Sequence, residues 1–505
     1  LKYSRAGLWW ALAALVVHIL GNAHYGFFRD ELYFIICGQH PALGYVDQPP
    51  LTPLLAALSQ SFGISLFALR VIPAICAAIA TYTACVLASE FEGGAFAQSI
   101  AGLVTIVAPE MMALGFRLSP DSIELCTWPL IALWTLRLTR GADPRWWLAV
   151  GGLTAVAAWS KYTVIFFAAA LLVALLLTPE RRALRTWWFP SGAGLAIVLI
   201  LPNFIWQLDN GFPILQLLQK DYGKFLLKNP PFPLQQIIIM SPLLSVVWLS
   251  GLAWLLYVRG TRFLGIAYLA LIAIMWALDA KNYYPAPVYP YLIAAGAIPI
   301  ERWTASHKSW RIATVAAIVV FAVPSVPFVL PVLPLRTFVT YQETLGRLFN
   351  LRFHIDRRAG NSVPVEHYAD MTGWPELAAA VAGVYRRLPA AERAQGAIFA
   401  RNAGEAAAID VYGKRYGLPP ALSGNNNYWL WGPRGFTGNV LIDVNGNVRD
   451  NRERFESVQL VTIFRNPYAM PYENNVPIYV CRGIHPSLAA LWPELRNYSY
   501  GFEGL

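Results

Sequence analysis

Charge is scarce in this chain: Asp, Glu, Lys and Arg make up 13% of its 505 residues, against 56% apolar residues. Soluble proteins carry about 25% charged residues, so the deficit excludes an ordinary soluble protein of this length and indicates a polytopic membrane protein. Cysteine is sparse too. Five occur, at 37, 76, 85, 126 and 481, with no Cys-x-x-Cys spacing, so neither a zinc site nor a disulfide framework is indicated. Cys76, Cys85 and Cys126 lie in apolar runs as packing residues; only Cys37 and Cys481 could meet in an oxidising compartment, and sequence fixes such a pairing weakly. Phosphate loops of the Gly-x-x-x-x-Gly-Lys-Ser/Thr type, complete Gly-x-Gly-x-x-Gly fingerprints and His-Glu-x-x-His are all absent. There is no tandem repeat and no low-complexity tract.

Long apolar runs dominate instead. A bilayer crossing takes about 20 apolar residues, and runs of that kind fall at 7–26, 66–89, 96–115, 121–139, 145–160, 161–178, 188–206, 234–258, 262–279, 284–300 and 310–333. The pair at 145–178 is short for two crossings, and its break at Trp159-Ser-Lys-Tyr162 reads as a tight hairpin. The first run reads as a retained helix, since the later runs depend on it for their orientation. The net charge of +10 is distributed at the flanks of these runs, in Lys2/Arg5, Arg137/Arg140/Arg145, Arg181/Arg182/Arg185, Arg259/Arg262 and Arg302/Lys308/Arg311. Alternating spans put all of these on one side, which the excess of Lys and Arg marks as cytoplasmic. Membrane lipid headgroups are then the natural partners of the basic flanks; no nucleic-acid role is expected, because no dense basic patch exists.

The expected fold is therefore a membrane all-α bundle of about eleven transmembrane helices over 1–334, with its N-terminus cytoplasmic and a C-terminal extracytoplasmic α/β domain over 335–505. In that domain, helices are expected near 374–388 and 404–416, and strands near 396–400, 439–444, 458–464 and 478–481. The outer loop 27–65 mixes aromatics, Pro49-Pro50 and an apolar run, a pattern for short interfacial helices, and 206–233 reads similarly. The same orientation gathers Asp30, Glu31, Asp47, Asp121, Glu124, Lys161, Asp209, Lys220, Asp221, Asp279 and Lys281 on the outer side.

Those charges carry the chemistry. Asp30 and Glu31 are adjacent, so on a helix they point about 100° apart; one can act as a base while the other positions a neighbour, or both can be solvated at a helix start favoured by the macrodipole. Arg29 beside them is an ion partner or an anion ligand. Asp47, in Gly44-Tyr-Val-Asp-Gln-Pro-Pro-Leu51, is either a site acid or the cap of a helix begun by the prolines. Asp121, in Ser-Pro-Asp-Ser, allows the same two readings. Lys161, set between two apolar runs, is expensive there unless it reaches an anion or snorkels to the interface. Lys281 sits at another outer helix end. His24 and His40 lie near the carboxylates and leave room for a divalent cation, although lone histidines are mostly ordinary polar residues. In Asn425-Asn-Asn-Tyr-Trp-Leu-Trp-Gly-Pro433, Asn427, Tyr428, Trp429 and Trp431 are suited to gripping sugar hydroxyls and ring faces; a loop packed on the bundle is the alternative. No Asp-x-Asp is present, which argues against a nucleotide-sugar donor held through a metal.

Taken together, the Asp-Glu pair after the first helix, Asp-Gln-Pro-Pro-Leu, Ser-Pro-Asp, Ser-Lys-Tyr, Lys281-Asn-Tyr-Tyr-Pro-Ala-Pro, Tyr368-Ala-Asp-Met-Thr-Gly-Trp-Pro and Tyr-Trp-Leu-Trp-Gly-Pro resemble the GT-C membrane glycosyltransferases. More narrowly, the chain resembles bacterial members of the protein O-mannosyltransferase and aminoarabinose transferase superfamily, glycosyltransferase family 39 or 83. The resemblance implies an enzyme of the bacterial inner membrane that moves a hexosyl or pentosyl unit, usually with inversion, from a polyprenyl-phosphate carrier to an acceptor on the outer face: an envelope glycan, lipid A or a protein hydroxyl. It implies Asp30 as base or acceptor-orienting acid, Glu31 as its support, Asp47 and Asp121 as the rest of an acidic site, and Lys161, Lys281, Arg29 and Arg117 as ligands of the departing phosphate. One position departs from the pattern: Gln48 stands where related transferases tend to carry a base before Pro-Pro. A transporter or flippase for a lipid-linked or polar solute is the alternative; transporters place charges near the midplane on broken helices and often show inverted repeats.

Overall fold

A computed structural model describes residues 4–221, 230–350 and 364–499; the 222–229 part of the expected interfacial segment, and Lys2, lie outside these. The bundle starts with α1 (Arg5–Gly21), where the Ser4 hydroxyl accepts a hydrogen bond from the Gly7 amide at 2.7 Å. Two short helices follow, α2 (Arg29–Gln39) and α3 (Leu51–Ser59). The long α4 (Leu66–Glu90), capped by Ser65, packs against α1 and several later helices. Next come α5 (Ala95–Val107) and α6 (Pro109–Phe116), one apolar run bent by 64° at Ala108. Pro109 lacks an amide hydrogen, so the ladder breaks there. Ser119, paired with Ser122 as a reciprocal cap, and Pro120 in the first turn start α7 (Pro120–Thr139).

The second half of the bundle holds α8 (Trp147–Ser160), α9 (Val164–Leu176), α10 (Trp188–Asp209), α11 (Pro213–Asp221), α12 (Phe232–Ile239), α13 (Ser245–Tyr257), α14 (Arg262–Ala277), α15 (Tyr289–Trp303) and α16 (Lys308–Val329). Helices α13 and α15 touch at backbone distance: a Cβ on Gly251 would run into the Leu292 carbonyl, and one on Gly296 into that of Val247. Small residues allow this where no water drives helices together and packing must do so. Trp128 of α7 stacks on Phe167 of α9 at 4.7 Å in the middle of the core.

Runs of apolar residues and membrane-length helices do not coincide. Among the described residues α4, α10 and α16 alone are long and apolar enough to cross a membrane, or four helices if α5 and α6 form one broken span. The expected span 234–258 is two helices, separated by a turn where Ser241 has φ 68° before Pro242.

After α17 (Leu335–Phe349) and α18 (Trp374–Arg387) comes a five-stranded sheet: β1 (Ala397–Ala400), β2 (Ala421–Leu422), β3 (Val440–Val444), β4 (Phe455–Phe464) and β5 (Val476–Ile484), in the order β2-β1-β3-β5-β4. β1 runs parallel to β2 and β3, while β5 pairs antiparallel with β3 and β4, Ile442 facing Val480. α19 (Ala403–Tyr412) links β1 to β2 and is capped by Asn402, whose Oδ1 accepts from the Glu405 amide at 2.9 Å. The expected strands and helices of this region are present; β2, two residues long, is too short to show an alternating pattern.

One expectation is corrected. Helix α2 does not lie open in an interface: residues 32–38 are buried, packed between α3 and α19, so α2 is the seat on which the sheet domain sits. α3 does keep Leu54 and Leu58 exposed, followed by Phe62. Cys37 and Cys481 are both free and belong to separate hydrophobic clusters, because one faces α19 from α2 while the other lies in the sheet opposite Leu441.

Candidate active site

Where α2, the α6–α7 junction, the α8–α9 turn and the sheet domain converge, they enclose a cavity of about 910 Å³. Asp30, in the first turn of α2, lines it with a side chain 49% exposed. Its neighbour Glu31 turns the other way, as helical geometry requires of adjacent residues, and is fully buried. There its carboxylate takes hydrogen bonds from Arg70 Nε (3.1 Å) and Nη2 (2.8 Å) and from the Phe28 (2.9 Å) and Leu118 (3.1 Å) amides. Arg70 also donates to the Gly26 carbonyl at 2.8 Å and lies over the Phe116 ring. Glu31 thus ties three chain segments together and does not reach the cavity.

Asp47 sits beside Asp30. The Tyr33 hydroxyl lies 3.2 Å from both Asp47 Oδ1 and Asn427 Oδ1. Burial, reinforced by the charge of Asp30 and opposed by hydrogen bonds, pushes the Asp47 carboxyl up to about 7. Asp121, in the first turn of α7, accepts from Lys161 Nζ at 2.6 Å, and the ammonium lies 3.6 Å from the centre of the Tyr284 ring. Both residues line the cavity, as do Arg117, which stacks over Phe28, and Lys281.

Arg29 is positioned by the sheet domain. Its amide donates to the Asp370 carbonyl at 3.1 Å, its Nε approaches Asp30 at 3.3 Å and its Nη1 lies 3.4 Å from the Tyr472 hydroxyl. Its stem crosses the start of α19 at Gly404, where a Cβ would collide with Arg29 Cγ. Asp370 is nine-tenths or more buried, and burial lifts it to about 6 against the pull of Arg29.

Residues 47–206, the segment carrying Asp47, Arg117, Asp121 and Lys161, match the sequence family described as dolichyl-phosphate-mannose-protein mannosyltransferase. The solved structure of ArnT from Cupriavidus metallidurans bound to undecaprenyl phosphate superposes with a TM-score of 0.62, at 15% identity, over 94% of this chain and 97% of that one. Its apo form gives a TM-score of 0.61 at 13% identity with the same coverage. The chain shares the fold of these structures. No curated protein sequence matches it.

This fold brings together Arg29, Asp30, Asp47, Arg117, Asp121, Lys161 and Lys281 around one cavity. It does not bring Glu31, Asn427, Tyr428, Trp429 or Trp431 there. Asn427 accepts from the Val46 amide at 2.7 Å, Tyr428 donates to buried Asp410, the Trp429 and Trp492 indoles each donate to the other's carbonyl, and Trp431 stacks on His40. This stretch fastens the sheet domain to loop 40–48, so its aromatics are spent on packing. Glu110, Tyr284, Asp370, Arg401, Asn425 and Asn426 line the cavity without having been singled out. Asp370 lies in the Tyr368-Ala-Asp-Met motif, Tyr284 in Lys281-Asn-Tyr-Tyr, and Asn425 and Asn426 open the amide-and-aromatic stretch, all usable signals; Arg401 gave none. Among the described residues no three His, Cys, Asp or Glu side chains form a group able to hold a metal ion, so no ligand set can be named for a divalent cation.

Proposed function

We propose that this GT-C protein is a polyprenyl-phosphate-dependent glycosyltransferase acting at the outer face of a bacterial inner membrane, with 1–334 as the membrane unit and 335–505 as an extracytoplasmic domain that completes the site. The observation that carries this reading is one cavity lined by open Asp30, the raised acid Asp47 and a set of cations. An acceptor hydroxyl, from an envelope glycan, lipid A or a protein, gives its proton to a carboxylate, with Asp30 facing the acceptor. Its oxygen attacks the anomeric carbon; the bond from that carbon to the phosphate oxygen breaks, and the electron pair leaves with the carrier, now a phosphomonoester bearing one more negative charge. Lys161, Lys281, Arg29 and Arg117 stand ready to stabilise that added charge. A single displacement inverts the anomeric centre. The undecaprenyl phosphate in the ArnT structure of the same fold supports the choice of carrier.

The test is transfer or hydrolysis of labelled polyprenyl-phosphate sugars by purified protein. Asp30→Asn is expected to lose about 10²–10⁴ of the rate, the usual worth of a general base, with an unchanged melting temperature because the side chain is open. Full activity in this variant would remove Asp30 from the mechanism. One observation favours the transporter alternative: the break between α5 and α6 sits at the cavity, with Glu110 lining it. Movement of a lipid-linked sugar across proteoliposomes without any transfer would select that reading.

A further inference from the structure

Glu124 is a buried acid that the mechanism above leaves without a task. It sits one turn after Asp121 on the same face of α7, fully buried, and is not one of the residues lining the cavity. Both of its oxygens lie 2.7 Å from the Thr163 hydroxyl. Thr163 opens α9, a place where a threonine hydroxyl ordinarily caps the amides of its own helix; here it makes no such cap and is spent on α7 instead. The contact is the last of three between the start of α7 and the α8–α9 turn. Ser160 Oγ donates to the Pro120 carbonyl at 2.9 Å, Lys161 Nζ to Asp121 Oδ1 at 2.6 Å, and Thr163 Oγ1 to Glu124 at 2.7 Å. Thr52 Oγ1, from α3, adds a contact of 3.2 Å to Ser160 Oγ. The Lys161 amide itself donates to the Ala157 carbonyl at 2.8 Å. The backbone that carries Lys161 is therefore latched to α7 on both sides, by Ser160 before it and by Thr163 after it.

A lysine ammonium is a point charge at the end of a flexible stem, and a misplacement of about 1 Å can cost about 10²-fold in rate. Asp121 and the Tyr284 ring fix the charged end of Lys161. The backbone end needs its own anchor, and the Thr163 hydroxyl with its buried acceptor supplies one. We propose that Glu124, acting through Thr163, is a positioning residue that holds the Lys161 ammonium where the carrier phosphate departs. Its part is to accept a hydrogen bond, which a neutral side chain of the same shape can also do. This rests on the glycosyltransferase reading above.

The test uses full-length protein in nanodiscs and a labelled polyprenyl-phosphate sugar that the wild type turns over. Thr163→Val, which removes the hydroxyl at nearly constant shape, and Glu124→Leu are each expected to lower kcat about tenfold. The donor KM should stay within about twofold, because the interaction lost is one that matters in the transition state. Thr163→Ser and Glu124→Gln keep a hydroxyl and an acceptor, and should retain most of the rate. The deciding readout is the cycle with Lys161→Gln. Once the ammonium is gone its placement no longer matters, so Thr163→Val in that background should lower kcat by less than about twofold. A purely structural role predicts the same fractional loss in both backgrounds. That result, or a folded Thr163→Val protein with wild-type kcat, would overturn the proposal while leaving the transferase reading intact; Thr163→Val carries the test should Glu124→Leu fail to fold. No turnover of any donor by the wild type would overturn the glycosyltransferase reading, and this one with it.

Discussion

The Glu31–Arg70 and Asp121–Lys161 pairs are built alike, a carboxylate and a cation from different helices or their ends, at 2.8 and 2.6 Å. They differ in what remains unused. Both side chains of the first pair are fully enclosed, and Glu31 already accepts from two backbone amides besides Arg70, while Arg70 also donates to the Gly26 carbonyl. The second pair lines the cavity, and the Lys161 side chain retains 17% exposure with N–H groups beyond the one given to Asp121. A saturated pair is a structural tie; a pair with spare capacity facing a void is a candidate site. Proximity of opposite charges does not separate the two, whereas the count of remaining donors and acceptors does.

Three perturbations sharpen or break this contrast. The largest effect is expected from Glu31→Gln, which leaves Arg70 buried without its counter-charge and should cost about 3–5 kcal/mol of stability, read as a fall in melting temperature and in folded yield from detergent extracts. A well-folded variant with reduced turnover alone would move Glu31 to the other side of the comparison. Lys161→Gln should do the opposite: turnover of a polyprenyl-phosphate sugar falls about 10²-fold, as for loss of one transition-state donor, with little change in melting temperature. A destabilised protein of normal specific activity would show that the open pair is structural as well. The smallest effect concerns pH. Glu405, in the sheet domain, is held by burial at about 7, above its ordinary value of 4.5, with Glu473 pushed up by burial and by Glu405 itself. A carboxyl raised on folding contributes stability that is complete below about 4.5 and is lost as pH climbs through 7. The melting temperature should therefore drop by a few degrees between pH 5 and pH 8, and Glu405→Gln should flatten that slope. An unchanged slope in the variant would place the pH sensitivity elsewhere.

Much of this was legible in the sequence, and the failures have physical causes. Low charge content and long apolar runs were enough for a helical membrane bundle, and the change of texture after 335 marked the domain with the sheet. Asp30, Asp47, Asp121, Lys161 and Lys281 were found because charge beside an apolar run is costly and therefore informative. Where the helices begin and end was less legible, because proline and a left-handed serine break runs that composition alone joins, as at Ala108–Pro109 and at Ser241. The roughly 100° between Asp30 and Glu31 was legible, but the partner of Glu31 was not, because Arg70 lies inside the apolar run of α4. Trp429 and Trp431 look the same in sequence whether they grip a sugar or pack a loop; only their neighbours decide.

The burial of α2 has a consequence for how the protein is made. Arg29 and Asp30 leave the ribosome hundreds of residues before the groups that cover α2 and hold Arg29, the start of α19 at Gly404 together with Asp370 and Tyr472. Until then the apolar side chains at 32–37 have no domain to sit under. The newly inserted bundle therefore passes through a stage with Asp30 in place and the Arg29 guanidinium unplaced, and the cavity wall is complete only after Asp370 and Gly404 have been made.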